Sequence, residues 1–255
     1  MTASDVAASG PVTDTDAAAS PLTIGVAVHR VPSISDSVLR RVVRAVDRGV
    51  EQVARNADRE LERAVAYDVE AGGTASPEAV VTNTRDAVWE STADWLEAED
   101  RRDPSALHLM LVDAPFQQSL GYGGNRTHLQ NGGPVSYANV GATERWDDDA
   151  VTANMAVHEV LHGLVTPFDA RPTIGRGCEH DLGAVVPADD GRGAIVTPLA
   201  TAYADASVGG ETQWPGSGCL GRFSRTLGYE PDWWGHTYAL SPATLAATAR
   251  YLGRL

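Results

Sequence analysis

The most constraining feature of this sequence is a His-Glu-x-x-His pattern at residues 158–162, within a stretch of helical apolar spacing. Side chains four residues apart lie on one face of an α-helix, so His158 and His162 can bind one metal ion together. Glu159 lies beside them and can reach a water molecule bound to that metal. Metal binding lowers the pKa of such a water, and a carboxylate can take its proton as the water attacks a carbonyl carbon. The pattern therefore predicts a metal site, for which Zn²⁺ is best suited, and a candidate general base.

The residues around the pattern favour a helix that is buried on one side. Three aspartates at 147–149 precede it, and acidic residues are favourable at a helix N-terminus. Apolar residues then recur at helical spacing up to Leu164. Because Gly163 and Pro167 disfavour continuation, we expect the helix to end just after His162.

The charge of the chain restricts its partners. It has 34 acidic and 20 basic residues, a formal net charge of −14, and every basic residue is arginine. An acidic surface repels phosphates and anionic lipids, so we predict neither nucleic acid nor a membrane as a partner. The acid excess without lysine is typical of a halophilic protein, in which molar salt screens the repulsion. Codon bias alone would explain the arginines but not the acid excess.

The N-terminal residues 1–20 are rich in Ala, Ser, Thr and Asp and have neither the basic nor the apolar region of a signal peptide. We predict a disordered acidic arm there. No stretch reaches the roughly 18 apolar residues that a transmembrane helix needs. The sequence as written therefore predicts a cytoplasmic protein, or a secreted one if its N-terminus is truncated; the oligomeric state stays open.

Hydrophobic patterning predicts a series of strands and helices. A Gly-rich loop at 121–134 precedes the last predicted strand. The predicted strands are residues 22–28, 106–112 and 135–140. The predicted helices are residues 35–67, 76–97 and 241–255, besides the helix that carries the pattern.

This order of elements, together with the His-Glu-x-x-His pattern, resembles the zincin metallopeptidases, and their metzincin-like branch most. The resemblance implies one catalytic domain over 21–255 with an α+β fold: a mixed twisted sheet, long N-terminal helices, an active-site helix and a loop-rich C-terminal part. It also implies hydrolysis of peptide or protein substrates with Zn²⁺ as cofactor. In such a fold an extended substrate pairs with the sheet edge before the active-site helix. That role would fall here to 135–140 or to the neighbouring Gly-rich loop.

The chain departs from the metzincin pattern after the second histidine. A metzincin continues His-x-x-Gly-x-x-His, whereas Val165 stands here at the glycine position and Phe168 at that of the third ligand. Asp169 comes one residue late. The third ligand must therefore come from another segment.

The best candidate segment is Cys-Glu-His-Asp-Leu-Gly at 178–183. It resembles zincin-like proteins whose downstream loop reads Glu-His-x-Leu-Gly, and that resemblance assigns the third ligand position to His180. Flanking carboxylates could orient its ring. The alternatives that remain open are Glu179, Asp181, Asp169 and Cys178.

Two further features follow from residue types and from the resemblance. Cys178 and Cys219 can form one disulfide or remain two thiols. The turn that carries a methionine beneath the metal in metzincins corresponds to 197–201, with Leu199 in place of Met. Related enzymes often have a tyrosine near that turn that donates to the oxyanion, which makes Tyr203 a second catalytic candidate.

Three functions are compatible with these residues. The first is a zinc metalloendopeptidase with Glu159 as general base. The second is a catalytically silent zinc-binding protein of the same fold, against which the intact Glu159 argues. The third is a zinc hydrolase of non-peptide amides, which a closed small pocket would favour, whereas an open edge strand would favour peptides.

Overall fold

The computed structural model describes residues 21–117, 119–144, 149–200, 229 and 231–255, and the backbone of six strand residues between 201 and 230. The predicted acidic arm at 1–20, the aspartates 147 and 148, Tyr203 and Cys219 lie outside the described residues. In the described part of the chain, no helix combines the length and the apolar character needed to cross a membrane.

The described residues form six α-helices, eleven strands and two 3₁₀ turns, so the predicted α+β class is confirmed. The helices are α1 Asp36–Leu61, α2 Arg85–Ala98, α3 Val140–Thr143, α4 Asp149–His162, α5 Pro167–Ile174 and α6 Pro242–Leu252. The strands are β1 Leu22–Arg30, β2 Val65–Thr74, β3 Ala106–Val112, β4 Gly123–Asn125, β5 Val135–Asn139, β6 Ala184–Pro187, β7 Gly193–Val196, β8 Ala204–Asp205, β9 Thr212–Gln213, β10 Ser224–Arg225 and β11 Trp233–His236. The 3₁₀ turns are Leu129–Asn131 and Glu179–Leu182.

The main sheet has the strand order β2-β1-β3-β5-β4. The first four strands are parallel, and β4 runs antiparallel to β5. Because β5 has a neighbour on each side, the predicted strand at 135–140 is interior and not the sheet edge. The edge on this side is β4, a three-residue strand within the Gly-rich loop.

Helix α1 begins where the sequence predicts but ends earlier. The Ser35 hydroxyl caps it by accepting a hydrogen bond from the backbone N–H of Val38. It ends at Leu61, and Glu62 then adopts a left-handed conformation with φ of 49°. The following residues form β2, which pairs in parallel with β1. The prediction of helix to residue 67 is wrong because this pairing is with a strand about 40 residues away and leaves no local signal.

Helix α2 also begins later than predicted. The Ser76-Pro77 pair forms a turn in which the carbonyl of Ser76 accepts from the backbone N–H of Ala79. The helix instead starts after Thr84, whose hydroxyl accepts from the backbone N–H of Ala87. Both segments carry a helix-start signal, and only the second is followed by a helix that packs against the sheet.

Helix α4, which carries the His-Glu-x-x-His pattern, is buried between the two larger sheets and ends at His162 as predicted. The Ser136 hydroxyl on β5 donates to the carbonyl of Glu159 over 3.2 Å, which ties the helix to the main sheet. The side-chain amide of Asn154 donates to the carbonyls of Val196 and Thr237, which ties it to the C-terminal part. That part contains α5 and a four-stranded sheet of order β10-β6-β7-β11, more regular structure than the sequence predicts.

Candidate metal centre

Three histidine side chains converge at the end of α4. His158 and His162 lie one helical turn apart, and His180 approaches from the 3₁₀ turn Glu179–Leu182. Nε2 of His162 is 3.0 Å from Nε2 of His158 and 3.1 Å from Nε2 of His180. Zn–N bonds of about 2.0–2.1 Å place the ligand atoms of a tetrahedral site roughly 3.3 Å apart. Two of the three separations are therefore close to those of a zinc tetrahedron, and all three ligand atoms lie within 4.8 Å of one another.

The protonation pattern of the three rings suits a metal. Nδ1 of His162 donates to the Glu179 carboxylate over 2.5 Å, so its Nε2 presents a lone pair to the other two rings. Burial lowers the pKa of His158, and burial with the nearby His162 lowers the pKa of His180 to about 3, which keeps both neutral. Burial also acts to lower the pKa of His162, but the carboxylates of Glu179 and Glu159 together outweigh it and the net shift is upward.

Two buried polar atoms at this site have no hydrogen-bond partner among the described residues: Nδ1 of His158 and Oε2 of Glu159. Buried polar atoms are nearly always paired, and those that are not call for a ligand or a functional role. Three converging nitrogens and an unpaired carboxylate oxygen fit a bound cation and its water. The residues present therefore fit the metal that the sequence pattern predicts.

The other carboxylates considered as third ligand are engaged elsewhere. Glu179 orients His162, as described above. Asp181 is buried and forms an ion pair with Arg176. Asp169 is buried at the start of α5, where it accepts from the backbone N–H of Thr166 over 3.1 Å and pairs with Arg254. None of the three is placed as a third ligand.

Two more positions are settled by their surroundings. Cys178 is buried and disulfide-bonded, which removes its sulfur as a metal ligand. Phe168, at the position where a metzincin has its third histidine, is 72% exposed and lies under the guanidinium of Arg254. The chain therefore turns away from the site after α4, and the loop that carries His180 returns to it.

Glu159 lies between the histidines and the sheet edge and is 4% exposed. Its carboxylate packs against Gly123 of β4 so closely that a Cβ at that position would overlap with Oε1. Burial raises the pKa of Glu159 to about 7, against the opposing effect of the nearby His162 and Arg85. A carboxylate with a pKa near neutrality can both accept and release a proton at physiological pH.

The cavity in front of the histidines has a volume of about 360 Å³. The edge strand β4 forms one side of it, and Arg85 and Trp89 from α2 form another. His128 also lines it, and Nδ1 of this ring donates to the carbonyl of His162 over 2.8 Å. Sequence reasoning missed Arg85 and His128, because neither has a spacing that relates it to the His-Glu-x-x-His pattern.

Residues 197–200 of the segment predicted to replace the methionine turn form a turn, in which the backbone N–H of Ala200 donates to the carbonyl of Thr197. Leu199 is fully buried in the main apolar core and has φ of 70°. The Thr197 hydroxyl accepts from the backbone N–H of Ala184, which joins the turn to the segment after His180. Tyr203, the candidate oxyanion donor, lies outside the described residues.

Three solved structures are similar to this chain at low sequence identity. No protein-family model and no curated protein matches the chain. Metalloproteinase-II from Bacteroides fragilis is 11% identical with a TM-score of 0.38, and the match covers 57% of this chain and 43% of that one. A zinc-dependent peptidase from Methanocorpusculum labreanum is 10% identical with a TM-score of 0.32, over 55% of this chain and 81% of that one. A chaperone–substrate complex is 12% identical with a TM-score of 0.39, over 91% of this chain and 35% of that one.

Proposed function

We propose that this protein is a zinc-dependent peptide hydrolase in which His158, His162 and His180 hold Zn²⁺ and Glu159 is the general base. The observation that carries the proposal is the convergence of three Nε2 atoms beside a buried carboxylate whose Oε2 has no partner among the described residues. A bound Zn²⁺ in such a site supplies a water of lowered pKa and polarises the carbonyl group that is attacked.

The protein's own residues have separable roles in this proposal. Oε2 of Glu159 would accept the proton of the attacking water and pass it to the leaving nitrogen. Glu179 holds the His162 ring in the tautomer that directs Nε2 into the site. Burial of the site excludes bulk water, which strengthens each of these electrostatic interactions.

The edge strand supports a peptide as the substrate. The backbone N–H of Asn139 donates to the carbonyl of Tyr122, which sets the phase of the β4–β5 ladder. Because ladder bonds alternate along an antiparallel pair, the backbone groups of Gly123 and Asn125 point away from β5. An extended peptide can form backbone hydrogen bonds with this edge beside Glu159, whereas a small amide has no peptide backbone that could pair with it.

A catalytically silent zinc protein is the second candidate. Such a protein would need the three histidines but not a buried carboxylate. Burying a carboxylate costs free energy unless its charge is paired and hydrogen-bonded. Glu159 lines the cavity and its Oε2 has no partner among the described residues, which favours hydrolysis.

The test compares wild type with Glu159→Gln for zinc content and for casein hydrolysis in molar salt. Glutamine leaves the three histidines in place, so we expect zinc content to stay and hydrolysis to fall about 10²–10⁴-fold. Equal activity in both proteins would refute the general base. Hydrolysis of small amides alone, still dependent on Glu159, would keep the mechanism and change the substrate class.

A further inference from the structure

The first turn of α2 places a cation and an aromatic ring on the wall of the metal cavity. Arg85 and Trp89 are four residues apart and so lie on one face of the helix. The backbone N–H of Arg85 donates to the carbonyl of Ser119, and the indole N–H of Trp89 donates to the carbonyl of Gly124 on the edge strand. These two bonds hold the wall at a set distance from the strand to which the substrate would pair.

The guanidinium of Arg85 lies close to Gly121, two residues before the edge strand. Gly121 has φ of 74°, and a Cβ there would lie 3.3 Å from a guanidinium nitrogen of Arg85. Arg85 lines the same cavity as Glu159 and the three histidines. It is therefore placed to contact a substrate bound there.

Arg85 has no acidic partner within the described ranges, although the chain has 34 acidic residues against 20 basic ones. Arg126, the other arginine that lines the cavity, lies 3.5 Å from Glu90. Because the surface is so acidic, most arginines can form an ion pair with a carboxylate of the protein itself. An exposed arginine without one, at the mouth of a catalytic cavity, is free to bind a carboxylate of a ligand.

We propose that Arg85 binds a carboxylate group of the substrate, so that this site prefers peptides with a carboxylate close to the scissile bond. The inference rests on the proposed peptide hydrolase and names the substrate class of that same site. A guanidinium can hold a carboxylate through two parallel N–H donors, a geometry that an ammonium group cannot match. The carboxylate can belong to an acidic side chain or to the C-terminus of the peptide, since both present the same two oxygens.

The net charge of the protein cannot itself attract an acidic substrate. At low salt the charge of −14 repels an acidic peptide as a whole. In molar salt the Debye length falls to about 3 Å, which screens the repulsion at a distance, whereas an ion pair that a bound peptide partly buries is screened less. Selectivity for a carboxylate at high salt must then come from a cation in contact with the substrate, and Arg85 is positioned for it.

The test uses three peptides that differ only in one charge. One has Glu beside the scissile bond and an amidated C-terminus, the second has Gln there with the same amide, and the third has Gln and a free C-terminal carboxylate. The proteins are wild type, Arg85→Gln, and the control Arg40→Gln, which removes an exposed arginine from α1 that does not line the cavity.

We expect wild type and Arg40→Gln to cleave one of the carboxylate peptides with a kcat/KM about 10- to 100-fold above that of the neutral peptide, the scale of a hydrogen bond between charged groups. In Arg85→Gln this ratio should fall close to one, mainly through KM. The peptide that shows the ratio identifies the source of the carboxylate. A ratio that is absent in wild type, or unchanged in Arg85→Gln, overturns the proposal.

A binding measurement separates this proposal from the hydrolase itself. The affinities of the same labelled peptides are measured by fluorescence anisotropy with Glu159→Gln and with the double variant that also has Arg85→Gln. If the carboxylate preference depends on Arg85 but wild type hydrolyses no peptide, the carboxylate site stands and the hydrolase fails. If wild type hydrolyses casein but the affinities show no such preference, the hydrolase stands and the carboxylate site fails.

Discussion

The carboxylate of Glu179 lies 2.5 Å from Nδ1 of His162, on the opposite side of that ring from the nitrogen that faces His158 and His180. Glu179 and His180 are consecutive in the sequence and serve the site in two ways. One residue adds a nitrogen to the cluster, and its neighbour orients a histidine that comes from α4. A single short segment therefore completes the site and stabilises its geometry.

Loss of the Glu179 charge should weaken metal binding without abolishing it. We expect Glu179→Gln to bind Zn²⁺ about 10- to 100-fold more weakly than wild type, since partners of ligating histidines contribute on this scale. Competition with a chelator of known affinity measures the change. An unaltered affinity would mean that the contact between Glu179 and His162 does not tune the metal.

The third ligand can be identified by two histidine substitutions in the same cavity. His180→Ala should lose bound Zn²⁺ on dialysis, as should His158→Ala, because each removes one of three protein ligands. His128→Ala is the matched control, since His128 lines the cavity but only donates to the carbonyl of His162. Metal analysis after dialysis gives the stoichiometry. Full zinc content in His180→Ala would return the third position to the neighbouring carboxylates.

A methyl group on the edge strand should displace the general base. In Gly123→Ala the new Cβ overlaps with the Glu159 carboxylate, and we expect hydrolysis to fall by about 10²-fold, the cost of misplacing a catalytic group by roughly 1 Å. Zinc content should not change. The control Gly253→Ala lies at the end of α6, where the added atom comes within 3.0 Å of the Leu61 side chain alone and no closer than 3.4 Å to the backbone. Equal activity in Gly123→Ala and wild type would contradict the packing of Glu159 against β4.

A second pair of histidines is buried in the main sheet, away from the metal cavity. The backbone N–H of Gly73 donates to Nδ1 of His29, so Nε2 of His29 carries the proton that lies toward Nδ1 of His108, 3.1 Å away. Nε2 of His108 lies 3.1 Å from the carbonyl oxygen and 3.2 Å from the backbone nitrogen of Asp103. Because Nδ1 of His108 accepts from His29, Nε2 carries the proton and donates to the carbonyl. This chain of hydrogen bonds requires both rings to be neutral. Burial lowers the pKa of both, that of His29 to about 3, with a further contribution from Arg101 at His29.

Stability should therefore fall with pH through these two groups. Below a pH of about 6.5 these histidines bind protons in the unfolded chain but not in the folded protein. Each one therefore lowers the free energy of unfolding by up to about 1.4 kcal/mol per pH unit. For His29 the loss continues to a pH of about 3. Urea unfolding of the zinc-saturated protein between pH 7 and 5 should give a smaller decline for His29→Gln than for wild type. Identical slopes would show that His29 is protonated in the folded protein.

Salt should stabilise the fold. The net charge of −14 is screened at molar salt, and we expect the melting temperature to fall as salt drops below about 1 M. Circular dichroism melts across a salt series measure this. A melting temperature that stays flat or rises on dilution would attribute the lysine-free composition to codon usage.

Local sequence determined the elements whose signals are carried by neighbouring residues. The apolar periodicity before His158 and the stop after His162 define α4, and the Ser241 cap defines the start of α6. The uniformly apolar run of β3 likewise identifies a strand buried on both faces. In each case the sequence signal lies in the residues of the element itself or directly beside it.

Only the tertiary structure decided which residues meet at the site. The edge strand Gly123–Asn125 is too short and too rich in glycine to have a strand signal, and it exists because β5 pairs with it. Glu179 lies 17 residues after the end of α4, and Arg85 lies about 75 residues before it, yet both line the cavity. Nothing in this sequence spacing indicates that they meet there. Because an α-helix repeats every 3.6 residues, the spacing of apolar residues in the sequence shows which of them share a face. A contact between distant segments depends instead on the whole path of the chain.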